Sequence, residues 1–175
     1  MHRLGQLGGG SLTDTAYAVS ADGSIVVGES GQRPFRWSAQ DGMQNLDASQ
    51  NLVGSAYGVS ADGSVVVGVI LDGHRSRAFR WTASEGIQYL TPLGSGQSAA
   101  YGVSANGNTI VGEFQGRAFR WTARMGMQNL NQIYASLFAD GSFLENAYGI
   151  SHDGRYIVGK RSPSPLGRGG KGMRA

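Results

Sequence analysis

The chain has no cysteine, only four prolines and two lysines among its 175 residues, and a charged fraction of 15%. Without cysteine there can be neither a disulfide framework nor a thiolate metal site. No run approaches the roughly 18 apolar residues of a membrane-crossing helix, so no membrane span is expected. The first ten residues also lack the basic, apolar and small-residue segments of a signal peptide. Apolar residues at helical spacing are missing over any long stretch, which argues against a helical bundle. The three histidines, His2, His74 and His152, include no pair at a metal-ligand spacing. No metal, cofactor or catalytic residue is therefore expected. What is abundant is glycine, 29 residues, within a composition that is 40% hydrophobic, as a turn-rich all-β domain requires.

The chain is built from one repeated unit, seen most fully from Ala56 to Leu90. Aligned on its Tyr-Gly/Ala-Val/Ile-Ser start, the unit begins at Tyr17, Tyr57, Tyr101 and Tyr148, with periods of 40, 44 and 47 residues. Within it, a β-branched run is broken by Asp62-Gly63, matched by Asp22-Gly23, Asn106-Gly107 and Asp153-Gly154. Such a pattern predicts a hairpin turned at Asp/Asn-Gly. Ala78 to Thr82 then predicts a third strand, with Phe79 and Trp81 on one face and Arg80 on the other. Ile87 to Leu90 alternates as a short fourth strand.

A four-stranded meander cannot hide both of its faces alone, and a period of about 40 to 45 residues is that of a propeller blade. The expected fold is all-β, a β-propeller of four-stranded antiparallel blades; a linear β-solenoid is the competing arrangement. Residues 1–159 read as the repeat domain, with units near 16–46, 56–90 and 100–130 and a partial unit at 147–159. Residues 3–7 resemble a fourth strand, so the N-terminal strand is expected to complete the last blade and close a ring of about four. The alternative is a homodimer through incomplete blade edges. Indels fall at Leu71 to His74, four residues, and within Asn131 to Asn146, seven residues, both read as surface loops.

A Phe-Arg-Trp strand is due near residue 168, but residues 160–175 read instead as a flexible basic tail. The tail holds five of the 15 basic residues and no acid, which leaves the repeat body with 10 basic against 12 acidic residues. A near-neutral body argues against nucleic-acid binding, whose affinity rests on phosphate neutralisation. A polyanion role would fall to the tail alone.

The two half-motifs, A-Y-G/A-V/I-S-x-D/N-G-x-x-V/I-V-G and A-F-R-W-T/S-A-x-x-G-M/I-Q-x-L, recur in order and resemble the bacterial HAF repeat, an extracellular repeat family. The resemblance covers about Arg3 to Gly159. Its His-Ala-Phe signature is present in part: Arg77-Ala78-Phe79 and Arg117-Ala118-Phe119 carry Arg for His, and Arg33-Pro34-Phe35 departs further. The resemblance implies propeller-like blades and an extracellular or cell-surface location. It implies no reaction.

The expected function is therefore a noncatalytic secreted or surface-associated interaction scaffold for a protein partner; a carbohydrate-binding propeller lectin is the alternative. Candidate ligand-binding residues lie in the two insertions: His74, Arg75, Tyr134, Phe138 and Phe143. Trp37, Trp81 and Trp121 read as inter-blade core, with sugar-stacking platforms as the other reading. Arg36, Arg80 and Arg120 read as a structural ladder paired to an acid such as Glu29 or Glu113, a turn Asp or an aromatic face; an anionic-ligand site is the other reading. Asp22, Asp62, Asn106 and Asp153 read as turn residues. Single acids per loop do not make a calcium ladder, although a bridging ion between blades stays open. Deleting Pro163 to Ala175, which breaks every repeat rule, is expected to leave the melting temperature unchanged in a thermal scan; a large drop would show that the segment supplies structure.

Overall fold

The computed structural model describes residues 4–7, 13–49, 51–90, 96–138 and 140–163. Three consecutive units each form a four-stranded antiparallel meander in simple strand order. The first comprises β1 (Asp14–Val19), β2 (Ile25–Ser30), β3 (Arg33–Ser38) and β4 (Gly42–Asn45). The second comprises β5 (Val53–Val59), β6 (Val66–Asp72), β7 (Arg75–Thr82) and β8 (Gly86–Tyr89). The third comprises β9 (Ser98–Val103), β10 (Thr109–Phe114), β11 (Arg117–Thr122) and β12 (Gly126–Asn129). The fourth is a two-stranded sheet of β13 (Phe143–Ile150) and β14 (Ile157–Ser162). Between the third and fourth sheets lie one short helix, α1 (Leu130–Ile133), and a 3-10 turn at Ala135–Phe138.

The core forms between the sheets. Ile25, Val27 and Leu46 of the first unit meet Ala56, Val66, Ile70 and Phe79 of the second, with Trp81 packed against them. Val65, Val67, Ala78 and Leu90 meet Ala100, Ile110 and Phe119 of the third in the same way, joined by Trp121. Strand 3 of the second and third units thus turns its Phe-x-Trp face to the unit before and its Ala face to the unit after. Both faces are needed because these two sheets are sandwiched, and stacking removes from water what one meander would leave exposed.

A glycine opposite each phenylalanine makes this packing fit. Gly28 pairs Phe35, Gly68 pairs Phe79 and Gly112 pairs Phe119. The rings are at most 1% exposed. A Cβ on Gly68 would stand 2.0 Å from the Ser55 carbonyl oxygen and 2.9 Å from Phe79 Cε1. Beside each glycine the first strand carries a bulge, and the residue left out of register is Tyr17, Tyr57, Tyr101 or Tyr148.

Several expectations need correction. The ring is not closed: residues 4–7 are not a strand, and the Leu7 N–H donates to Ser30 Oγ at 2.9 Å on the first sheet. A fourth strand needs a third to pair with, and the last unit has none among the described residues. Residues 160–162 are strand rather than tail, because Lys160, Arg161 and Ser162 continue β14 opposite Asn146, Leu144 and Phe143. Lys160 gains Glu145 at 2.7 Å, and Arg161 gains Asp140 at 2.6 Å. Residues 164–175 lie outside the described residues. Units also open before their alanines, at Asp14, Val53, Ser98 and Phe143.

The insertion at 71–74 is no loop; it adds two residues to each arm of the β6–β7 hairpin, whose turn stays two residues long, as in β2–β3 and β10–β11. Of the described residues, no helix is long and apolar enough to cross a membrane. Gly68→Ala is expected to destabilise the protein by about 1 to 3 kcal/mol or more through overpacking, read as a lower urea midpoint; an unchanged midpoint would show that the Phe79 seat can give way.

Candidate functional site

The turn between the first two strands of each unit consumes its own polar residues. Ser60 Oγ donates to Asp62 Oδ1 at 2.6 Å and accepts from the Val65 N–H at 2.9 Å, while the Ser64 N–H donates to the same carboxylate at 3.0 Å. Asp22 and Asp153 repeat the pattern, and Asn106 reproduces it with an amide oxygen. The hydroxyl bond from Ser60, then those from Ser64, hold the Asp62 carboxyl down at about 2; Ser20 and Ser24 do the same for Asp22. Gly63, not Asp62, has the positive φ, 72°, so Ala61 and Asp62 are the central turn residues rather than an Asp-Gly pair. The glycine follows as the left-handed residue. These turns bond to one another: the Ala21 N–H donates to the Ala61 carbonyl at 3.0 Å, Ala61 to Ala105 at 3.0 Å, and Ala105 to His152 at 3.1 Å.

The arginines do not share one partner. Arg80 pairs with Glu85 of its own unit at 2.6 Å, Arg36 Nε reaches the Gly63 carbonyl of the next unit at 3.5 Å, and Arg120 donates to Gln128 at 2.9 Å. Glu29 and Glu113 are taken instead by Ser55 Oγ and the Gly116 N–H. Arg120 Nε is buried with no acceptor among the described residues. Arg36, Arg80 and Trp81 share a shallow groove of about 560 Å³ with the turn residues Ser64, Asn106 and Asn108. Trp37, Trp81 and Trp121 are all half-buried.

The insertion builds a second, more apolar cavity of about 340 Å³ between the third and fourth units, walled by Tyr134, Leu137 and Phe138 on one side and Ile157 and Gly159 on the other, with Arg120 beside them. Asn129 caps α1 by accepting from the Asn131 N–H. The Asn131 amide then pairs with the backbone of Leu144, accepting at 2.6 Å and donating at 2.9 Å, as a strand residue would. That stitch fixes the insertion to β13. Phe143 lies outside the cavity, under the Arg117 guanidinium at 3.7 Å from its ring centroid. His74 and Arg75 are exposed at the β6–β7 hairpin tip and join neither depression. Among the described residues no group of three or more His, Asp or Glu side chains could hold a metal ion.

Sequence reasoning missed the tyrosine ladder. Tyr17, Tyr57, Tyr101 and Tyr148 stack with centroids 5.1, 5.7 and 5.5 Å apart, and burial, followed by Glu113 and the flanking tyrosines, pushes the Tyr101 phenol up to about 12. Its signal was present, since the tyrosine is constant in all four units. Leu137, 69% exposed, lies in the insertion that was expected to expose it, whereas Asn131 carried no such signal.

No family model matches the chain, and no curated protein does. Solved structures do. Over 87% of its length the chain is similar to TolB from Acinetobacter baumannii, with a TM-score of 0.62 and 16% identity. A protein from Agrobacterium tumefaciens described as TolB matches over 82%, with a TM-score of 0.58 and 19% identity. The fold is β-propeller-like. The chain spans 39% and 52% of those two chains.

The depressed Asp22 and Asp62 carboxyls set an acid dependence. Their unfolded value is near 3.9, so the stabilisation they give is fully present above about pH 4 and is lost as pH falls through about 2. Asp62→Asn should melt like the parent at pH 7, because Asn106 already fills this place, and should show a shallower fall in melting temperature between pH 4 and pH 2. An unchanged acid slope would remove Asp62 from the titration.

Proposed function

We propose that this protein is a noncatalytic interaction module of the HAF-repeat kind, exported or carried at the cell surface, whose partner is a polypeptide. One observation carries the reading. The recurring serines and Asp/Asn residues are spent inside their own turns, while Tyr134, Leu137 and Tyr156 are exposed around one cavity, Leu137 and Tyr156 each at 69%. Contiguous exposed apolar surface beside a satisfied scaffold is the mark of a protein-interaction site. The likeness to TolB supports the scaffold and says nothing about the partner.

A lectin is the second reading, favoured by the groove that brings Arg36 and Arg80 together with Trp81. A peptide array and a glycan array screened side by side separate the two. The interaction module should select peptides rich in aromatic and aliphatic residues, lose them on Leu137→Asp, and leave the glycan array silent. Binding to one acidic glycan class that is lost on Arg80→Met would replace it with the lectin.

A further inference from the structure

The cavity beside the last sheet has a counterpart at each earlier interface, and there it is full. In the second interface, Leu90, Ala100 and Ile110 surround Phe119, which stands over Gly112. Leu130, Ala147, Ile157 and Gly159 occupy the same repeat positions one unit later, and they line the cavity. Gly159 repeats the environment of Gly112: a Cβ there would meet the Asn146 carbonyl oxygen at 2.0 Å and Ala147 Cα at 3.1 Å, as one on Gly112 would meet Ala99 at 2.0 Å and Ala100 at 2.9 Å. Only the phenylalanine ring, 2.8 Å from that position at Gly112, has no equivalent. Residues 144–175 contain no Phe or Trp.

The backbone makes the same statement. β2, β6 and β10 are each paired on both sides, whereas β14 pairs only with β13 among the described residues. Its other edge carries N–H and C=O groups that a strand can satisfy. Arg120, which also lines this cavity, has a buried Nε with no acceptor among the described residues.

We propose that β14 and this cavity form an acceptor groove for one extended strand of a partner polypeptide with alternating Phe-x-Trp character. It docks antiparallel to β14 with its phenylalanine opposite Gly159 and its tryptophan opposite Ile157. The register follows from the pairs Gly112–Phe119 and Ile110–Trp121, and from their equivalents in the first two units. The backbone edge supplies affinity and the aromatic seat supplies specificity, which is the division of labour of strand addition. The cavity volume, about 340 Å³, lies within the range of about 300 to 1,000 Å³ typical of ligand sites. This proposal rests on the interaction-module reading and names the partner's chemistry.

The probe is a synthetic peptide with the sequence of residues 117–129, titrated by fluorescence anisotropy into the full chain, with hydrogen exchange read by mass spectrometry. Saturable binding is expected, with new protection confined to residues 157–162. Replacing the peptide's phenylalanine or tryptophan by alanine should weaken binding at least about tenfold, and methylating alternate backbone nitrogens should abolish it in one of the two phases. Leu137→Asp, at an exposed position, tests the cavity wall without threatening the fold.

Peptide binding with no change in β14 exchange would overturn strand addition and leave the interaction module standing. No binding by this peptide, while the peptide array selects others, would overturn the Phe-x-Trp assignment. A chain that dimerises in light scattering, with β14 already protected and no affinity for the peptide, would overturn it in favour of self-pairing.

Discussion

The serine hydroxyl of the first turn in each unit is the contact on which the others depend. Ser20, Ser60 and Ser104 are at most 4% exposed, and each donates to the Asp or Asn two residues on while accepting from the amide five residues on. Both lone-pair and proton needs of a buried group are thus met locally, which spares the desolvation penalty of about 1 to 3 kcal/mol for an unsatisfied one. The fixed turn then holds the Ala21, Ala61 and Ala105 N–H groups toward the next unit's carbonyl. A local bond therefore sets the spacing between sheets. Once that spacing is set, the Phe and Trp side chains have one depth to fill.

The bulge and the glycine are two halves of one solution. The tyrosine leaves the ladder, so its neighbours close up around Gly28, Gly68 or Gly112, and the phenylalanine ring takes the place a Cβ would need. Freed from pairing, the tyrosines meet one another across units. Edge and tilted contacts at these distances favour the array beyond the area they bury. Residues after the tyrosine stay small because the inner strands approach closely: a Cβ on Gly58 would lie 3.1 Å from the Tyr101 carbonyl oxygen.

Repeat length and strand number were legible because both follow from local chemistry, turn residues and alternation, which a sequence displays directly. The bulges were hidden for the same reason, since an extra residue shifts the phase that alternation relies on. Residues 3–7 misled because Leu4 fits a fourth-strand pattern, yet such a strand forms only beside a third. Lys160 to Ser162 looked like tail because composition cannot show that Glu145 and Asp140, on or before β13, neutralise the cations that made it look solvated. The arginine partners differ from unit to unit: Arg80 meets an acid, Glu85, and Arg120 an amide, Gln128, each on its own hairpin, while Arg36 reaches the Gly63 carbonyl of the next unit.

The two insertions have different effects on the packing between units. Four extra residues in the second unit lengthen a regular hairpin and leave both interfaces around it filled, so they alter reach without altering packing. The seven in the third unit fall at the interface that also lacks a Phe-x-Trp strand. There Arg155 and Tyr156 replace the Ser64 and Val65 of the second unit, and Val65, buried against Gly107 of the next turn, gives way to a tyrosine that faces solvent. Insertion, aromatic deficit and substituted turn are independent in sequence but converge on one cavity.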